Sequence, residues 1–197
     1  MKIMFEDIEE TPEIRVMFED VEETPEIRVN GKVYGPISED KPAKKVTLYD
    51  IIAGKHGAKE WDDVVGMIQT WYYGSYVKAS WCATTVSWAA ASMGILDQIG
   101  GKNENVYHMM NACSKSGKGK FFSKKAGNIP TKIEQGDILF YLWDGDTMKV
   151  DSSKHVSVAA ETTSSNQILS EGGNQKDKIC RLYYEKAKLY AVFRPDY

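Results

Sequence analysis

Cysteine is scarce: Cys82, Cys113 and Cys180 are the only three in 197 residues. An odd count makes no disulfide framework, and the absence of a Cys-x-x-Cys pair excludes a structural zinc ribbon. Histidine is equally scarce. Any chemistry that needs an imidazole must use His56, His108 or His155. No apolar run approaches the ~18 residues that read as a transmembrane helix, so no membrane insertion is expected. The start, Met1-Lys2-Ile3-Met4-Phe5-Glu6-Asp7, turns acidic before an apolar stretch develops. No signal peptide is therefore expected, and synthesis is expected in a cytoplasm. A global basic field is also missing, since 25 Lys and Arg against 28 Asp and Glu leave a net charge of −3. That disfavours general nucleic-acid binding.

What is present is a globular composition: 42% hydrophobic and 11% aromatic, with 5 Trp and 11 Tyr. The length suits one core plus a small appendage. The appendage announces itself as a repeat. Ile3 to Arg15 (IMFEDIEETPEIR) returns as Val16 to Arg28 (VMFEDVEETPEIR), changed only by Ile/Val swaps. Two copies of 13 residues are no solenoid. Ten acidic residues against Lys2, Arg15 and Arg28 give residues 1–28 about −7, leaving about +4 for the rest. The repeat reads either as a recent duplication or as an interaction arm that docks on a partner or masks the cationic body. Glu26 to Gly35 reads as a β-hairpin around Asn30-Gly31, a pair suited to a type I′ turn. Pro36 to Lys45 reads as a linker, so residues 1–45 form the arm and 46–197 the main domain.

Helical spacing opens the main domain. Leu48, Ile51 and Ile52 mark a short helix. Trp61, Val64, Val65, Ile68 and Trp71 mark a longer one ending at Gly74, and a third is expected from Trp81 to Met93 with Ser80 as its N-cap. Val106, Met109 and Met110 mark a fourth. Residues 114–128 read as a basic loop with two Phe at its centre, exposed or in contact with an anionic polymer. The period then becomes two. Strands are expected over Asp137–Trp143, His155–Glu161, Gln167–Glu171, Ile179–Tyr184 and Tyr190–Arg194. Helices followed by about five antiparallel strands is the α+β pattern.

Cys82 carries the first chemical signal. It opens a helix in Ser80-Trp81-Cys82-Ala83-Thr84, where unpaired amides and the macrodipole favour thiolate. The competing reading is a small core cysteine beside two tryptophans. A thiol nucleophile needs a base. His56 in Gly-Lys-His-Gly is expected to be exposed and idle, and His108 to be a surface residue. His155 opens a strand straight after the polar loop 144–154. The next strand ends in Ser170-Glu171-Gly172-Gly173-Asn174-Gln175, which supplies Asn174 and Glu171 to orient the imidazole. Asp144, Asp146 and Asp151 fit no EF-hand, so no metal or other cofactor is expected.

Trp-Cys-Ala followed by Val-x-Trp, then Gly136-Asp137-Ile138-Leu139-Phe140, His155-Val156-x-Val158 and Gly172-Gly173-Asn174-Gln175 resemble, in that order, the CHAP and NlpC/P60 papain-like cell-wall hydrolases. The likeness is to the small phage-encoded kind with a GGNQ motif and covers residues 60–194. It implies a papain-like fold, with N-terminal helices packed on the sheet. The activity implied is hydrolysis of a peptidoglycan amide, either N-acetylmuramoyl–L-alanine or a peptide bond, by Cys82 as nucleophile, His155 as base and Asn174 as orienting residue. Glu171 is the alternative third residue. Ser80, Trp81, Tyr73 and Tyr76 are the expected substrate-side residues. The chain departs from the pattern at Thr85, where many relatives carry Phe, and it lacks the acidic calcium loop of some CHAP domains. A wall hydrolase without a leader is expected to reach the wall through a holin or on a virion. The rival expectations are a papain-like protease or isopeptidase, a wall-binding module with an idle site, and a virion structural protein organised by the repeat.

Overall fold

The computed structural model describes residues Ile27–Val29, Lys32–Tyr34 and 45–197, in two units divided between Lys44 and Lys45. In the first unit, β1 (Ile27–Val29) and β2 (Lys32–Tyr34) pair antiparallel, with Val29 opposite Lys32. The expected turn at Asn30-Gly31 lies outside the described residues. The acidic repeat lies outside the described residues up to Glu26.

The second unit opens with four helices: α1 (Leu48–Ala53), α2 (Asp63–Tyr73), α3 (Cys82–Ser92) and α4 (Val106–Lys115). Their ends follow local chemistry. Thr47 and Asp50 form a capping box on α1. Gly74 closes α2 at φ 79°, its N–H bonded to the Thr70 carbonyl. The Asn105 side chain accepts the Tyr107 and His108 amides at the start of α4. In α3 the N-cap is Trp81, not Ser80, and no side chain caps the first turn.

Six strands follow: β3 (Lys120–Ser123), β4 (Ile138–Leu142), β5 (Lys154–Ala159), β6 (Gln167–Gly172), β7 (Cys180–Glu185) and β8 (Leu189–Arg194). They form one sheet in the order β3-β8-β4-β5-β6-β7, with every neighbouring pair antiparallel. The architecture is α+β. The sheet has six strands rather than five because the expected basic loop contains β3, with Phe121 opposite Phe193. Phe121 packs on one core and Phe122 on the other. Adjacent half-buried aromatics on opposite faces are a strand signature that the flanking lysines concealed.

Both sheet faces are covered. Ile138, Phe140, Val156 and Val158 pack under the helices with Val86, Ala89 and Met109. Leu139, Tyr141, Ala159, Ile168 and Val192 form the second core. This explains why β4 reads as an uninterrupted apolar run, buried at all five positions. The Gly136-Asp137 step before it is a structural latch. The Asp137 carboxylate accepts the Arg194 Nε–H and Nη2–H, both at 2.8 Å, and the Glu134 amide at 2.8 Å. Gly136 takes φ 93°, and a Cβ there would lie 2.8 Å from Thr47 Cβ and 2.7 Å from the Tyr197 hydroxyl.

Candidate active site

Cys82 is the first residue of α3 and is 5% exposed. The amides of Val156, Ala83 and Cys82 itself donate toward its sulfur, and the charge of Lys154 favours thiolate. Burial outweighs all of these and pushes the thiol above its ordinary value. Cys82 thus sits at the expected helix end, while desolvation reverses the expected direction of its acidity.

His155 is the second residue of β5, opposite Tyr141 on β4. Its ring packs beside Trp143, at 6.2 Å, and Tyr184, at 5.7 Å, which are themselves 5.8 Å apart. Burial lowers the imidazole from 6.5 to about 4, against a hydrogen-bonding influence from Gln175 that raises it. At neutral pH thiol and imidazole are therefore both uncharged. No bond between them is closed among the described residues. Catalytic contacts are often long before substrate binds.

Gln175 is the polar partner that the sequence reading missed. It is 2% exposed. Its amide nitrogen donates to the Gly172 and Cys180 carbonyls, which fixes that end as the donor. Its Oε1 is thereby left as an acceptor. Oε1 and His155 Nε2 are both buried, and neither has a hydrogen-bond partner among the described residues, while the Gln175 side chain is the hydrogen-bonding influence that raises the imidazole pKa. The available signal was the last letter of Gly-Gly-Asn-Gln.

The other expected site residues divide. Asn174 lines the same cleft as Cys82 and His155, in the left-handed region at φ 58°. Glu171 does not serve His155. It pairs with Val158 further along β5, and its buried carboxylate accepts from Arg181 Nε and bonds His56 Nδ1, both at 2.8 Å. His56 is accordingly engaged rather than idle, while His108 is exposed. Ser80 lines the cleft. Trp81 is fully buried and belongs to the core. Tyr73 packs edge-on against Tyr72 at 4.6 Å and Tyr76 stacks on Trp61 at 4.7 Å. Both tyrosines are half-buried, and neither lines the cleft.

Two glycines make the arrangement possible. A Cβ on Gly173 would lie 2.1 Å from Thr85 Oγ1 and 2.7 Å from the Trp81 ring. The loop after β6 therefore presses directly onto the first turn of α3, which brings Gln175 toward the residue after Trp81. A Cβ on Gly172 would lie 2.9 Å from Ser157 Cβ.

The cleft has a volume of about 680 Å³. Trp143 and Tyr184 form an aromatic wall beside His155, and Lys154 and Lys176 add positive charge. Among the described residues, no three His, Cys, Asp or Glu side chains are placed to hold a metal ion. Asp144 instead accepts the Ser153 amide at 2.8 Å. No helix among the described residues is long and apolar enough to cross a membrane.

The buried imidazole makes a stability prediction. An unfolded histidine takes up a proton near pH 6.5, whereas His155 resists until about pH 4. The unfolded state then binds more protons, so stability falls as pH drops through this window and levels off below it. The shift corresponds to ~3 kcal/mol. Urea melts of wild type and His155→Gln from pH 7 to 4 are expected to diverge by this order, with the variant flatter.

No protein-family model matches the chain, and no curated protein is similar to it at a significant level.

Proposed function

We propose that the protein is a papain-like cysteine hydrolase that cleaves an amide bond of peptidoglycan. The observation that carries the reading is the convergence of Cys82, His155 and Gln175 on one cleft. The uncapped first turn of α3 supplies amide donors beside the sulfur. The peptidoglycan substrate follows from the ordered motifs around Cys82, Gly136, His155 and Gly172. The cationic Lys154 and Lys176 suit the carboxylates of a stem peptide.

Because the resting pair is uncharged, His155 works as a general base rather than as half of a preformed ion pair. Cys82 Sγ attacks the amide carbonyl as its proton passes to the His155 imidazole. The Cys82 amide N–H faces the developing oxyanion, a contact of a kind worth ~10²–10³ in rate. The C–N bond breaks, His155 returns the proton to the leaving amine, and a thioester remains. Water, deprotonated by His155, resolves the thioester to a carboxylate and restores the thiol.

One observation favours a second reading, a wall-binding module with an idle site: the thiol is raised rather than depressed. Alkylation of the resting protein by iodoacetamide is expected to be slower than that of a free thiol at pH 7 and still climbing at pH 9. A plateau from pH 5 upward would contradict the neutral pair. Catalysis itself is tested on substrate. Wild type is expected to release soluble fragments from a panel of purified walls and His155→Ala none; equal release by both would remove His155 from the mechanism.

A further inference from the structure

Trp61 is 64% exposed and takes φ 78°. A bulky residue in the left-handed region is a costly outlier, and an exposed ring gains little burial to offset it. The indole is nevertheless held in place. It stacks on Tyr76 with ring centres 4.7 Å apart and planes inclined by 31°. Its loop is tied to the segment after Gln175: Lys59 bridges Lys178, and the Glu60 amide donates to the Asp177 carbonyl at 2.7 Å. A second depression of about 400 Å³ is lined by Lys59, Glu60, Trp61, Lys176, Asp177 and Lys178. Lys176 also lines the Cys82 cleft, so the two are contiguous.

We propose that this depression is a carbohydrate subsite that holds one pyranose ring of a glycan strand while the cleft acts on the attached peptide. The chemistry is that of a fixed aromatic platform with polar groups at its rim. The C–H face of a pyranose lies on the indole, and its hydroxyls meet the ammonium groups of Lys59 and Lys178 and the carboxylates of Glu60 and Asp177. A purely apolar ligand would leave those four charged side chains unused, and a simple anion would not need the indole. The choice of a glycan rests on the proposed function, but binding there requires no catalysis.

The test therefore uses the full chain carrying Cys82→Ala. Chitotetraose is titrated against tryptophan fluorescence and by calorimetry, with trialanine as a peptide probe. Chitotetraose is expected to bind. Trp61→Gly is expected to weaken it at least tenfold while Tm holds or rises, because glycine relieves the strained backbone. Unchanged affinity in Trp61→Gly, no chitotetraose binding to the parent, or binding of trialanine alone would overturn the proposal. So would a large fall in Tm for Trp61→Gly, which would make the ring a packing element. Failure of hydrolysis in the wild type, with chitotetraose binding intact, would instead overturn the catalytic reading and leave this subsite standing.

Discussion

Gly173→Ala is expected to destabilise the main domain by ~3 kcal/mol, the upper part of the range for overpacking a tight site. The added methyl would sit 2.1 Å from Thr85 Oγ1 and 2.7 Å from two carbons of Trp81. Neither neighbour can move aside. Both are fully buried, and Thr85 Oγ1 is bonded to the Trp81 carbonyl at 2.8 Å. The loop would have to lift from α3, taking Gln175 with it, so activity should fall further than stability alone explains. Thermal melts should show Tm lowered by ~10 °C. Gly66→Ala is the control. It lies within α2, where the nearest non-local atom to a new Cβ is Tyr76 Cδ2 at 3.9 Å, so it should be neutral or stabilising by ~0.5–1 kcal/mol. Adding Thr85→Ala to Gly173→Ala removes the closest obstruction and should restore part of the loss, a coupling that additive damage would not show.

Gln175→Leu is expected to lower kcat by ~10²–10⁴ with a much smaller change in KM, the range seen when an orienting partner of a catalytic imidazole is lost. The leucine removes the amide whose hydrogen-bonding influence reaches the His155 imidazole, and with it the group proposed to orient the ring. It also removes the donors to the Gly172 and Cys180 carbonyls, so the comparison needs a stability measurement beside the kinetics. As a positioning residue, Gln175 should also move the acid limb of the kcat/KM profile: its influence raises the His155 pKa, so its loss shifts that limb to lower pH. Asn174→Gly keeps the left-handed backbone at that position and should cost far less. Loss of activity in Asn174→Gly with activity retained in Gln175→Leu would reverse the two roles.

These expectations mark where sequence and structure part. The helices around Leu48, Ile68, Val86 and Met109 were legible because their apolar residues recur at three and four and because Gly74 terminates the second. The strands from Ile138, Val156, Ile168, Leu182 and Ala191 were legible from their short apolar or alternating runs. β3 was not, because Lys118, Lys120, Lys124 and Lys125 outweigh two phenylalanines in any reading of composition. Cys82 and His155 stood out through scarcity and position. Their acidity did not, since desolvation depends on what packs around a group and not on its neighbours in sequence. Glu171 looked like an orienting carboxylate until pairing with Val158 placed it beside His56 and Arg181. Gln175 was hidden for the same kind of reason. Two carbonyls pin one end of its amide, and they belong to Gly172 on β6 and Cys180 on β7, which come together only when the two strands pair.

The central claim is that Cys82 is a nucleophile toward a peptidoglycan amide. The most direct measurement incubates wild type and Cys82→Ala with purified peptidoglycans and reads the soluble products by mass spectrometry. Fragments released by the wild type and not by the variant, with masses placing one new amine and one new carboxylate across a single amide, are the predicted result. Walls left intact by both proteins, or fragments released equally by both, would contradict it.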